Sequence, residues 1–140
     1  MLFRSLFLRT VRLRTNSPNR NPRIARVTLG DLPLDPAAPT RVAPGYAATL
    51  RVAFAPDARE ATAEAQPDGS TRTVPEALLT QYLTDTGTFD GSFRSDDEGA
   101  PGAHAITFTA PSAGASRIWV VLSDGRGGFD LAERDLTVAP

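Results

Sequence analysis

The side chains able to do chemistry are few, and their spacing limits what they can do. His104 is the only histidine and there is no cysteine. A Ser-His-Asp arrangement would therefore have to use His104, which follows Gly102-Ala103 at an expected strand start and reads as an ordinary solvent-facing residue. The segment Gly114-Ala115-Ser116-Arg117-Ile118 lacks the second glycine of a G-x-S-x-G nucleophile elbow. One imidazole and no thiolate are too few for a zinc site of the usual kind. The glycines of Asp124-Gly125-Arg126-Gly127-Gly128 suggest a phosphate cradle, but a P-loop opens a helix and carries Gly-Lys-Ser/Thr, and neither holds here.

Oxygen ligands are plentiful, with 11 Asp and five Glu, and Asp96, Asp97 and Glu98 cluster in the glycine-rich loop 95–102. Calcium takes six to eight such oxygens, so these three are the candidate metal ligands and calcium the candidate ion. The competing reading is structural: no D-x-[DN]-x-[DN]-G loop is present, and aspartates at turns, such as Asp85, Asp90, Asp124 and Asp130, cap their own backbone. No other cofactor is expected. Carboxylate pairs for sugar hydrolysis need a cleft, which short loops on a small domain do not supply. The most informative aromatic is Trp119. Alternation that puts Ile118, Val120 and Leu122 inside sends Trp119 outward beside Arg117, as a docking surface for a neighbouring domain or a ligand such as a sugar ring. Cover by the long connection 57–75 is the alternative.

These residues need elements to hold them. The chain of 140 residues suits one domain, and 12 Pro with 11 Gly favour many short elements joined by turns. All 15 basic residues are Arg. Residues 1–30 hold seven Arg and no acid, and the remainder holds eight Arg against 16 acids. A nucleic-acid binder would instead spread basic charge over its folded body.

Residues 1–15 are open to three readings. Arg4 and Arg9 interrupt the apolar run that a secretory signal requires, whereas an Arg-rich, acid-free transit peptide fits better. The strict alternation from Arg9 to Thr15, with Val11 and Leu13 on one side, also suits the last strand of an upstream repeat. Residues 16–22, polar with two prolines, read as a linker before a domain spanning 23–140. No window approaches a transmembrane span.

Within 23–140, alternation recurs between turn signals. It places Leu50, Val52 and Phe54 on one face, then Leu78, Thr80 and Tyr82, then Ile106 and Phe108, then Ile118, Val120 and Leu122. Residues 123–128 read as a hairpin turn. In the return strand Phe129 and Leu131 have one parity and Leu136 and Val138 the other, which predicts a bulge near Glu133. Residues 57–75 read as either a short helix or a strand leading to a turn at Pro67-Asp68-Gly69. The sum is an all-β, antiparallel sandwich of about seven strands.

The order of Ile106-Thr107-Phe108-Thr109-Ala110-Pro111, the strand 118–122 and Ser123-Asp124-Gly125-Arg126-Gly127-Gly128 resembles the end of bacterial immunoglobulin-like and PKD-type repeats. Val42-Ala43-Pro44-Gly45, and Tyr82 followed by Thr86-Gly87-Thr88-Phe89, are similar to that family as well. Tyr82 stands where the family usually has a core Trp, and 57–75 is longer than the usual connection. The resemblance implies an immunoglobulin-like sandwich in a cell-surface or secreted protein, with any export signal supplied from elsewhere, and carries over no catalytic residues. The expected function is thus a non-catalytic structural or spacer module whose partners are neighbouring repeats, a surface protein or a glycan. The alternative is an adhesion module recognising a carbohydrate, a protein or calcium through Trp119, Arg117 or loop 95–102. Neither nucleic acid nor a membrane span is expected.

Overall fold

A computed structural model describes residues 19–96 and 100–140. Their strands are β1 (Ile24–Leu29), β2 (Leu32–Pro33), β3 (Thr40–Val42), β4 (Ala47–Phe54), β5 (Ala61–Ala65), β6 (Thr71–Pro75), β7 (Leu79–Thr84), β8 (Thr88–Phe89), β9 (Phe93–Ser95), β10 (Ala103–Thr109), β11 (Gly114–Ser123) and β12 (Phe129–Val138). Two five-stranded sheets, ordered β2-β1-β4-β10-β8 and β3-β12-β11-β7-β9, pack as a sandwich of the expected immunoglobulin-like kind. Every pairing in them is antiparallel except β3 with β12. No helix among the described residues is long and apolar enough to cross a membrane.

The core follows from period-two patterning. Val27, Leu29, Leu50, Val52, Ile106 and Phe108 of the first sheet meet Tyr82, Ile118, Val120, Leu122, Leu136 and Val138 of the second, and all are buried. Tyr82 is buried in this core and packs its ring 5.6 Å from that of Phe89.

One of the two readings of 57–75 holds and one sequence expectation is corrected. Within 57–75 the strand leading to a turn at Pro67-Asp68-Gly69 is what forms: β5 runs into that turn and returns as β6, with the Gln66 amide donating to the Ser70 carbonyl at 2.8 Å. The return strand β12 has no bulge: its pairing with β11 runs unbroken from Phe129 opposite Ser123 to Val138 opposite Gly114. Phe129 and Leu131 therefore point away from the core, and the apolar side chains of β12 divide between its two faces. A shift in register does occur in β1, between Ile24 and Arg26, which brings Val27 and Leu29 into the core.

The β11–β12 turn marks one pole of the sandwich. The chain enters there, with Asn19 Nδ2 donating to Asp124 at 2.6 Å and the Ile24 amide donating to Asp130 at 2.7 Å. Pro22, at the end of the expected linker, is fully buried. From this pole β12 runs ten residues, roughly 33 Å, to the opposite pole. There Ala139 bonds the Val42 carbonyl and Arg41 bonds the carbonyl of Pro140.

Candidate functional site: an apolar sheet face beside a polar pole

Two arrangements stand out, and β7 holds parts of both. The first lies between the sheets at the hairpin pole. Alternation back from Phe108 through Ile106 carries His104 inside, so the residue expected in solvent is a buried strand residue whose side chain is only 4% exposed. Its Nε2 donates to Asp96 Oδ1 at 2.9 Å, and its Nδ1 shares a 2.8 Å hydrogen bond with the Thr80 hydroxyl. Phe54 meets the imidazole edge-on at 4.9 Å.

The other side of Asp96 is taken by Arg59, which forms a two-pronged pair with it and also donates to the carbonyls of Glu76 at 2.7 Å and Pro101 at 2.8 Å. The Leu78 amide donates to Asp96 at 3.0 Å. Asp, His and Thr thus lie in line, with the Thr80 hydroxyl fully buried between the sheets. The line works as an internal brace.

Of the three candidate calcium ligands, Asp96 has both carboxylate oxygens engaged by Arg59, His104 and Leu78, while Asp97 and Glu98 lie outside the described residues. Among the described residues no group of three or more His, Asp or Glu is placed to hold a metal ion. Close by, buried Glu76 is met by Arg126 at 2.8 Å, so an arginine already stands among the Glu60, Glu76 and Asp124 carboxylates. Asp124 receives the amides of Arg126 and Gly128, fixing the hairpin turn.

This pole sets an acid response. Burial pushes the Glu76 carboxyl above its usual 4.5, with Asp124 and Glu60 adding to the rise against the Glu60 amide and Arg126. Burial acts the same way on Asp96, but the bonds from Arg59, Leu78 and His104 hold it below 3.8. As pH falls toward 4.5, the folded chain binds a proton at Glu76 before the unfolded chain does, so unfolding free energy rises. Below 3.8 the unfolded chain protonates its aspartate first, and stability is lost as pH falls through the folded value of Asp96. Urea midpoints between pH 3 and 6.5 should show a rise and then a fall. Glu76→Gln should remove the rise, and Asp96→Asn should remove part of the fall; unchanged profiles in both variants would contradict this account.

The second arrangement is the outer face of the β3-β12-β11-β7-β9 sheet. Residues directly opposite in antiparallel strands share a face. Trp119 lies between Leu83 and Glu133, Val121 between Gln81 and Leu131, and Gln81 opposite Phe93. Leu83 is 52%, Leu131 53% and Phe93 56% exposed, and Phe129 extends the same face toward the hairpin. Trp119 is half-buried, its indole N–H donating to Glu133 at 2.8 Å, which holds the ring down on the sheet. Arg117 grips Asp135 at 2.6 and 3.0 Å and reaches Glu133 at 3.4 Å. The structure therefore brings the two expected residues, Trp119 and Arg117, together through Glu133.

The other sheet's outer face is a built-in comparison. It carries Ala47, Thr49, Arg51 and Ala53 on β4 beside Ala103, Ala105, Thr107 and Thr109 on β10, all small or polar. One face of the molecule is dressed for water and the other is not. Sequence reading missed Leu83, Phe93, Leu131 and Glu133, although the odd-numbered apolar positions of β7 and β12 were a signal once read as outward. No protein-family model matches the chain, and no curated protein matches it either.

Proposed function

We propose that the chain is a non-catalytic binding module whose working surface is the outer face of the β3-β12-β11-β7-β9 sheet. One observation carries this reading: Trp119, Val121, Leu83 and Leu131 form an apolar patch across three strands that continues past Gln81 to the exposed Phe93 on β9, with Arg117, Glu133 and Asp135 at its border. Contiguous exposed apolar surface with a polar rim marks an interaction site. Its shortage of free hydrogen-bonding groups favours a protein partner over a sugar, which asks for several of them. The Trp119 N–H and the Arg117 guanidinium are already engaged.

The test separates docking from folding. Leu83→Ser and Leu131→Ser should each change the unfolding free energy by no more than about 0.5 kcal/mol, as for surface positions, while lowering the affinity of the folded chain for an apolar dye. A loss above about 2 kcal/mol at either site would assign these side chains to the core and overturn the reading.

A second reading, the spacer, is favoured by the entry of Asn19 at one pole and the position of Pro140 at the other. A domain threaded end to end suits a bead in an elongated protein. The resemblance of residues 106–111 and 118–128 to repeats of bacterial surface proteins supports the same setting, and the two roles are compatible.

A further inference from the structure

We infer that the occupant of this apolar face is a second copy of the chain, docked sheet to sheet as a weak two-fold dimer; the inference rests on the docking role just proposed. Charge is the first argument. The charged residues of the face are gathered at one end, where Arg117 pairs with both Asp135 and Glu133 and Arg41 donates to the Pro140 carbonyl. The middle, from Trp119 to Phe93, is uncharged. Such a face selects neither a strongly basic nor a strongly acidic partner, and it suits a surface with the same uncharged middle and self-paired rim.

Strand order is the second. A two-fold axis running along the strands between β11 and β7 lays β11 of one copy over β7 of the other, and β12 over β9. Residues at one height along the strands stay at that height. Trp119 then meets Leu83 of the other copy and Leu131 meets Phe93, while the Arg117–Asp135 row remains at the rim. Large side chains face large side chains, the interdigitation by which two sheets pack about 10 Å apart. Every backbone group in the middle of this sheet is already paired within it, so docking is by faces and not by edges.

Area sets the strength. Four strands about 4.8 Å apart, over about seven residues at roughly 3.3 Å each, give on the order of 450 Å² per copy, or about 900 Å² for the pair. That lies below the roughly 1,200 Å² at which stable specific interfaces begin, in the range of weak and transient contacts. A small, uncharged contact of this kind is expected to be weak, with a dissociation constant on the order of tens to hundreds of micromolar.

Sedimentation velocity on the full chain, from about 10 to 500 µM, tests this. The expected result is a reversible monomer–dimer equilibrium. Leu131→Glu, and separately Leu83→Glu, should weaken it at least about tenfold, whereas Thr49→Glu on the opposite outer face leaves it unchanged. Because the chain has no cysteine, Leu131→Cys mixed with Phe93→Cys should also cross-link through a short bismaleimide. A chain monomeric throughout, or a dimer indifferent to both glutamates, overturns the second copy while leaving the docking role to its own stability test. A monomer whose Trp119 is shielded from iodide until Leu131→Glu is introduced would also overturn it, and would assign the face to the chain's own residues 1–18.

Discussion

Asp96→Ala should lower the unfolding free energy by about 3–5 kcal/mol, because removing one partner of a buried ion pair leaves the other charge without compensation. The guanidinium that remains is Arg59, with a side chain only 14% exposed. It would still bond two carbonyls and lie 5.6 Å from the Phe54 ring, but it would have lost its carboxylate partner among the described residues. His104 would lose its acceptor and the Leu78 amide its partner at the same stroke. Against the 5–15 kcal/mol typical of a domain, such a loss approaches unfolding at ambient temperature, and urea melts would report it directly. The companion double variant, Arg59→Leu with Asp96→Leu, should recover part of the loss, since apolar replacement of a whole buried pair is often neutral. A change below about 1 kcal/mol for Asp96→Ala would mean that the brace contributes little.

Phe108→Ala should be comparably severe, about 3–5 kcal/mol, through the cavity it leaves. Phe108 is fully buried, packs 5.1 Å from the Phe89 ring, and fills the space under the turn before β8. That turn holds Gly87 at φ +81°, where a Cβ would stand 2.7 Å from the Thr109 carbonyl oxygen and 2.9 Å from the Phe108 ring. The cavity therefore lies between rigid backbone and a second aromatic, with little freedom to collapse. Thermal unfolding should show the effect, and the milder Phe108→Leu, with a smaller volume change, should retain most of the stability.

The fold was legible wherever apolar residues alternate without interruption. Leu50, Val52 and Phe54 of β4, and Ile118, Val120 and Leu122 of β11, occupy the buried face that their spacing predicts. The polar pole was not legible, because its bonds join residues far apart in sequence: Arg59 meets Asp96 across 37 residues and Asn19 meets Asp124 across 105. His104 carried one overlooked signal, its parity with Ile106 and Phe108. Polarity suggested solvent, yet the strand's geometry placed it inside, where Asp96 and Thr80 satisfy both ring nitrogens. Phe129 and Leu131 were misread for the converse reason. An apolar residue was assumed to need the core, and a bulge was expected to deliver it, whereas unbroken pairing keeps both on the outer face beside Trp119.

The passage of the chain from the hairpin pole to the opposite pole bears on how the domain would respond to tension. β1 leaves the pole where Asn19 lies, and β12 ends at the pole where Pro140 lies, so a pull applied between Asn19 and Pro140 runs along both strands. β1 is bonded to β4, and β12 to β11 on one side and β3 on the other. Load directed along a strand is shared by all of its ladder bonds at once, in shear, and does not open them one by one. The ten-residue register of β12 with β11 would have to slip as a unit before that strand could extend, which makes the axis joining the poles the stiff direction of the molecule.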